Sequence, residues 1–163
     1  TRGAKNAAFP ILAACLLTKE PCYISNLPLI EDVFRMLKIL EQIGAKISWL
    51  DQREIKIQCS DINLELLPYR EITYFRGSVV LLGPILARFG EVKFPPPGGC
   101  LIGARPIDTH IDAFYQMGIN FERNNKFFYF YGNANVLCIK DVCDEGFKKN
   151  MQHKKCKKSY IFH

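Results

Sequence analysis

Pro84-Ile85-Leu86-Ala87 repeats Pro10-Ile11-Leu12-Ala13 at an offset of 74 residues, and Met117-Gly118-Ile119-Asn120-Phe121 answers Ile43-Gly44-Ala45-Lys46-Ile47 at the same offset. A repeat of this period points to one supersecondary unit used more than once, each copy burying its apolar face against the next. Outward from Pro10, residues 6–17 are apolar on nearly every side, which predicts a buried helix. Residues 22–25 predict a strand after Pro21. Residues 32–43 predict an amphipathic helix with Val33, Met36, Leu37, Leu40 and Ile43 on one stripe, and Gly44 is its C-terminal stop. Residues 45–50 and 54–59 alternate as a hairpin around Asp51-Gln52-Arg53. The second unit reads likewise. Residues 77–88 are the buried helix and 91–94 the strand. Residues 107–117 are the amphipathic helix, with Ile107, Ile111, Phe114 and Met117 inward, and 121–123 and 127–131 form the second hairpin. The expected boundaries are 1–60 and 61–132, with a third unit starting near Gly132 and breaking off by about 140. Such units predict an α/β protein with helices gathered inside a shell of sheets.

Between the strand at 91–94 and the helix at 107 stands Pro96-Pro97-Gly98-Gly99-Cys100-Leu101-Ile102-Gly103-Ala104-Arg105-Pro106-Ile107-Asp108. The prolines stiffen the approach, and the glycines loosen the loop that presents Cys100. A thiol near a fixed cation gains thiolate character, so Cys100 is a candidate nucleophile or proton donor. Arg105-Pro106 opens a helix, since proline is favoured at the first helical position. An arginine beside free backbone amides clamps phosphate or carboxylate. Asp108 and His110 fall on the first turn of that helix. The plainer role of Asp108 is to complement the helix dipole. Asp108 and His110 are two apart and point to different helix faces, which weakens a Cys-His-Asp hydrolase triad. No ligand spacing matches a metal site. Lys5-Asn6, after Gly3-Ala4, opens the first buried helix. Lysine there strengthens anion binding, and asparagine recognises a hydroxyl or amide; the plainer alternative is a capping Asn beside a solvated Lys. Arg76, ahead of the second buried helix, is a further anion candidate or a surface ion-pair partner.

Composition sets the class. The chain has 163 residues, 48% apolar and 23% charged, enough for one domain with a real core. Its longest apolar runs, 7–17 and 79–87, are far short of the ~20 residues that span a bilayer. No basic-then-apolar leader is evident. Seven cysteines (Cys15, Cys22, Cys59, Cys100, Cys138, Cys143 and Cys156) stand at no framework spacing, which predicts free thiols in a reducing compartment, with Cys15, Cys59 and Cys138 buried and inert. The net charge of +6 comes wholly from Lys148, Lys149, Lys154, Lys155, Lys157 and Lys158; residues 1–147 carry 16 basic and 16 acidic side chains. The body is therefore no nucleic-acid surface, and residues 141–163 read as a basic, loosely ordered or aberrant tail. The start at Thr1, directly before the first helix, and the loss of periodicity after about Asp141 read as a fragment, with an out-of-frame end as one account.

Four stretches together carry a resemblance: Gly3-Ala4-Lys5-Asn6-Ala7-Ala8; Arg76-Gly77-Ser78; Leu82-Gly83-Pro84-Ile85-Leu86-Ala87-Arg88-Phe89-Gly90; and Pro97 through Asp108. In order and spacing, from Gly3 to about Phe130, they resemble the UDP-N-acetylglucosamine 1-carboxyvinyltransferase family of enolpyruvyl transferases. The sister family of the shikimate pathway shares the fold but lacks the Gly-Ala-Lys-Asn and Gly-Gly-Cys signatures. The resemblance implies an inside-out α/β barrel of βαβαββ units, here incomplete. It implies transfer of the enolpyruvyl group of phosphoenolpyruvate to the 3-hydroxyl of UDP-N-acetylglucosamine, in the bacterial cytoplasm and in peptidoglycan synthesis. It implies no cofactor, nucleic acid, membrane or obligate protein partner. By the same resemblance Lys5 holds phosphoenolpyruvate, and Asn6 lies where the two substrates meet. Cys100 protonates the methylene carbon and is alkylated by fosfomycin. Arg105 contacts phosphate, the backbone of Arg105, Pro106, Ile107, Asp108 and Thr109 with the Asp108 side chain receives the uridine nucleotide, and Arg76 is a further substrate contact. Two departures stand out: Arg2 replaces a small residue, and Lys140-Asp141-Val142-Cys143-Asp144-Glu145 does not reproduce the Ser-Val-Gly-Ala-Thr-like run of a third repeat. Family members are much longer and carry a second domain with further catalytic groups, so this chain alone is expected to turn over no substrate. A non-catalytic remnant that keeps the fold and a thiol hydrolase are the competing readings.

Overall fold

The computed structural model describes residues 3–96, 107–124, 126–132 and 159–161. The first unit runs α1 (Lys5–Ala14), β1 (Cys22–Ser25), α2 (Glu31–Gln42), β2 (Lys46–Asp51) and β3 (Glu54–Gln58). After a short helix α3 (Tyr69–Tyr74), which the sequence reading did not anticipate, the second unit runs α4 (Leu82–Phe89), β4 (Glu91–Phe94), α5 (Asp108–Gln116), β5 (Ile119–Arg123) and β6 (Phe128–Gly132). The strand orders are the same in both units: β2-β3-β1 in one sheet and β5-β6-β4 in the other, with each of these pairings antiparallel. The sequence repeat is thus a repeat of topology.

Each sheet turns one face to the helices. Ile24, Ile55 and Ile57 of the first sheet and Val92, Phe94, Phe128 and Phe130 of the second are buried. They meet Leu12 and Leu16 of the first buried helix and its end, and Leu82, Ile85 and Leu86 of α4, in one cluster. Most outward residues are polar or amphipathic, although Leu50 of β2 is exposed. Tyr129 and Tyr131 stack at 5.0 Å on the outer face of the second sheet, and their hydroxyls donate to Glu91 (2.6 Å) and Glu122 (2.8 Å). Helices inside and sheets outside is the layering that the repeat predicts.

Local chemistry explains the element ends. The amide of Gly44 donates to the Glu41 carbonyl (3.0 Å) and that of Ala45 to the Leu40 carbonyl (2.9 Å). This paired closure needs a left-handed residue at Gly44, whose φ is +109°. The predicted helix at 6–17 is an α-helix only to Ala14, then a tighter 3-10 turn over Cys15–Leu17. The predicted single helix at 77–88 is also divided, into a 3-10 segment Arg76–Leu81 and then α4. Proline contributes, because Pro84 lacks the N–H that a continuous α-helix would use. It does not decide alone, since α1 carries Pro10 within its length. The Ser78 hydroxyl, bonded back to the carbonyls of Phe75 (2.6 Å) and Ile72 (3.3 Å), favours the tighter turn. On α5, Ile107 is buried ahead of the helix and Phe114 meets the Phe130 ring at 5.8 Å. Met117, expected inward, is 46% exposed, because α5 ends at Gln116 and Met117 lies past its last turn.

Within the segment read as a basic tail, β7 (Ser159–Ile161) pairs parallel with β1, in register Tyr23 to Ser159. The expected start of a third unit past Gly132 lies outside the described residues.

One side chain joins the two units. Arg88, in the last turn of α4, donates to the carbonyls of Leu16 (2.8 Å), Cys59 (2.7 Å) and Ser60 (3.2 Å). It ties the second buried helix to the ends of the first helix and of β3.

Candidate substrate site

The N-terminus of α1 is built for close approach. A side chain at Gly3 would collide with the Asn26 carbonyl in the loop from β1 to α2, so only glycine lets that strand lie against the loop. The amides of Ala7 and Ala8 donate to the Ala4 carbonyl (3.2 and 3.1 Å). No side chain caps the helix, and no acidic residue of its own stands in its first turn. This end therefore keeps its partial positive charge and offers free amide donors. Lys5 and Asn6 are both exposed there.

Lys5 is exposed but paired. Its ammonium forms an ion pair with Asp32 in the first turn of α2 and lies 5.9 Å from the centre of the Phe9 ring. Phe9 meets Phe75 edge-on at 5.3 Å, and Phe75 precedes Arg76. The first turns of α1 thus pack, through Phe9, on the residue that precedes Arg76. Arg76 is half-buried at the start of its 3-10 segment.

The α5 end is placed differently. Ile107 is buried and anchors the entry to the helix, while Asp108, Thr109 and His110 are exposed on its first turn. Among the described residues no side-chain hydrogen bond caps its N-terminus. Among the described residues no ion pair joins Asp108 to Lys5; Lys5 is held by Asp32 instead. Cys100, Arg105 and Pro106 lie outside the described residues, as does Cys138.

Asp32 is the residue that sequence reading missed. It was read only as the start of a helix, where an acidic residue needs no other explanation. Nothing local in the sequence distinguishes it from Glu31, which pairs instead with Arg35 on its own helix.

Among the described residues, Cys15 and Cys59 behave as the sequence predicts for inert thiols. Cys15 and Cys59 are buried, as is Cys22. The Cys15 thiol is raised well above its usual range, chiefly by its hydrogen bond with Cys22 and by burial. Burial and the neighbouring Cys22 push Cys59 up to about 12, against the pull of Arg88. Among the described residues, no group of three His, Cys, Asp or Glu side chains is arranged to hold a metal ion, and no helix is long and apolar enough to cross a membrane.

This geometry has counterparts in known proteins. The family model for EPSP synthase (3-phosphoshikimate 1-carboxyvinyltransferase) matches residues 1–136. The chain is 40% identical over 124 residues to a UDP-N-acetylglucosamine 1-carboxyvinyltransferase of Finegoldia magna, covering 76% of this chain and 29% of that protein. It is 43% identical over 120 residues to the enzyme of the same name from Coxiella burnetii, covering 74% and 28%. Among solved structures it is similar to the enolpyruvyl transferase NikO from Streptomyces tendae, with a TM-score of 0.68, 20% identity, and coverage of 82% of this chain and 29% of that one. It is also similar to EPSP synthase from Acinetobacter baumannii, with a TM-score of 0.57, 13% identity, and coverage of 81% and 31%. The chain spans under a third of the length of the curated relatives described.

Proposed function

Because the chain belongs to the EPSP synthase (3-phosphoshikimate 1-carboxyvinyltransferase) family, whose fold is the inside-out α/β barrel, we propose that it carries part of the substrate site of an enolpyruvyl transferase acting on phosphoenolpyruvate and UDP-N-acetylglucosamine. The observation that carries this reading is the 40–43% identity to enzymes of the nucleotide-sugar branch across three quarters of the chain. The shikimate-branch neighbour shares the fold at 13% identity.

The chemistry supports the choice. Phosphoenolpyruvate bears a phosphate and a carboxylate, so its site needs fixed cations and free amides. Lys5 at the open end of α1, with Arg76 beyond the aromatic pair, supplies part of that set, and Arg105 is proposed to complete the phosphate clamp. Protonation of the methylene carbon builds positive charge on the adjacent carbon, and Cys100 is proposed as the proton donor. A glycine-hinged loop carrying that thiol would close over the substrates and exclude water. Asn6 is proposed to sit where the two substrates meet. The first turn of α5, with Asp108, Thr109 and the backbone from Arg105 through Pro106 and Ile107, is proposed to receive the uridine nucleotide. On this reading the chain works in the bacterial cytoplasm, in peptidoglycan synthesis.

A non-catalytic remnant that keeps the fold is the second reading. Labelling with fosfomycin separates the two. Mass spectrometry should find an adduct on Cys100, suppressed by phosphoenolpyruvate, while buried Cys15, Cys22 and Cys59 stay unmodified. Absence of the adduct, or labelling indifferent to phosphoenolpyruvate, overturns the proposed site.

A further inference from the structure

Asp32 belongs to the site as well as to its helix. Its carboxylate is 35% exposed and the Lys5 side chain 49% exposed. Both groups therefore face the solvent from which an anion arrives, and neither is locked in the core. As long as the pair is closed, the lysine and the carboxylate cancel. A neutral pair exerts little pull on a dianion, whereas a lone ammonium at a helix N-terminus exerts a strong one. The approach of the β1–α2 loop to Gly3 puts the start of α2 beside the start of α1, which is why a residue 27 positions away reaches Lys5.

We infer that Asp32 is the resting counter-ion of Lys5, and that an incoming phosphate- or carboxylate-bearing ligand displaces it. This rests on the reading of Lys5 as an anion-binding residue. Asp32 is then a positioning residue that sets the affinity of the site and its selectivity: ligands with one weak negative charge fail to open the pair, and those with two do. Asp32 also complements the α2 dipole, but that role is shared by Glu31 in the same turn, and Glu31 does not touch Lys5.

The test titrates the whole chain with phosphoenolpyruvate and, separately, with inorganic phosphate, following chemical shifts at the α1 N-terminus. Wild type should bind, and Lys5→Ala should abolish the response. Asp32→Asn should bind about 1.5-fold to fivefold more tightly, the fold-change expected from removing one exposed competing ion pair. That gain should shrink with added salt. Asp32→Glu should behave as wild type, and so should Glu31→Gln, which removes the same helix-end charge without freeing Lys5. Unchanged or weaker binding by a folded Asp32→Asn overturns the inference alone. An equal gain in Glu31→Gln also overturns it, because the effect would then be one of general charge. Binding that survives Lys5→Ala, or is missing in wild type, overturns both the inference and the reading beneath it.

Discussion

At the scale of single residues, the buried thiols show how environment rather than residue type decides chemistry. Cys59 is buried at the end of β3 with its ionisation pushed up to about 12, against an ordinary value of 9.0. A folded-state value above the unfolded one means that the native chain holds the proton more tightly. Its contribution to stability is therefore fully present below about pH 9 and is lost as pH rises from about 9 toward about 12. Urea unfolding should show a midpoint that falls across this window, with a slope of up to about 1.4 kcal/mol per pH unit per such group. Cys15, raised in the same direction, adds to it. Cys59→Ala should flatten the slope; a midpoint insensitive to pH in wild type would contradict the assignment. Cys100 differs from these residues by its sequence setting, with glycines before it and an arginine after it.

Among elements, the decisive contact is the Arg88 clamp. Its guanidinium supplies donors to three carbonyls at the ends of α1's 3-10 extension and of β3. A lysine has no fork of this shape. Arg88→Met keeps the aliphatic stem and removes every donor, leaving sheltered carbonyls without partners. It should cost about 2–3 kcal/mol, read as a lower urea midpoint at unchanged m-value. Arg88→Lys should recover only part of the loss. If Arg88→Met unfolds at the wild-type midpoint, the two repeats are held together by apolar burial alone. The same scale accounts for the divided second helix. Propensity and periodicity over 77–88 favour one helix, whereas the Ser78 hydroxyl, bonded back to the Phe75 carbonyl, tightens its first half.

For the whole molecule, the two units share one core, yet the chain spans 28–29% of the enzymes it is 40–43% identical to. An enolpyruvyl transfer site needs an acid, a base and several cations converging on one ester, and a dry cavity to hold them. The chain by itself should release no phosphate from phosphoenolpyruvate in the presence of UDP-N-acetylglucosamine, at any concentration where it remains folded by circular dichroism. Steady phosphate release by the purified chain would show that these two units suffice. The pairing of β7 with β1 belongs to this scale too, because it covers a strand edge that would otherwise present unpaired amides and carbonyls.

The repeat, the strand positions, the stripe on α2, the stop at Gly44 and the inert thiols were legible in the sequence, because each depends on spacing, on glycine's access to positive φ, or on apolar neighbours a few residues away. The family was legible because the motifs Gly3 to Asn6, Leu82 to Gly90 and Gly98-Gly99-Cys100 stand in the sequence itself, in order and spacing, whatever the fold does with them. Tertiary structure alone decided what depends on distant chain segments meeting. It chose Asp32 rather than Glu31 as the partner of Lys5, packed Phe9 on Phe75, turned Arg88 into the joint between repeats, and left Met117 in solvent. A sequence records which groups are available at each position; which of two adjacent carboxylates faces a lysine 27 residues away is settled only when the loop bearing one of them packs against the glycine preceding the other helix.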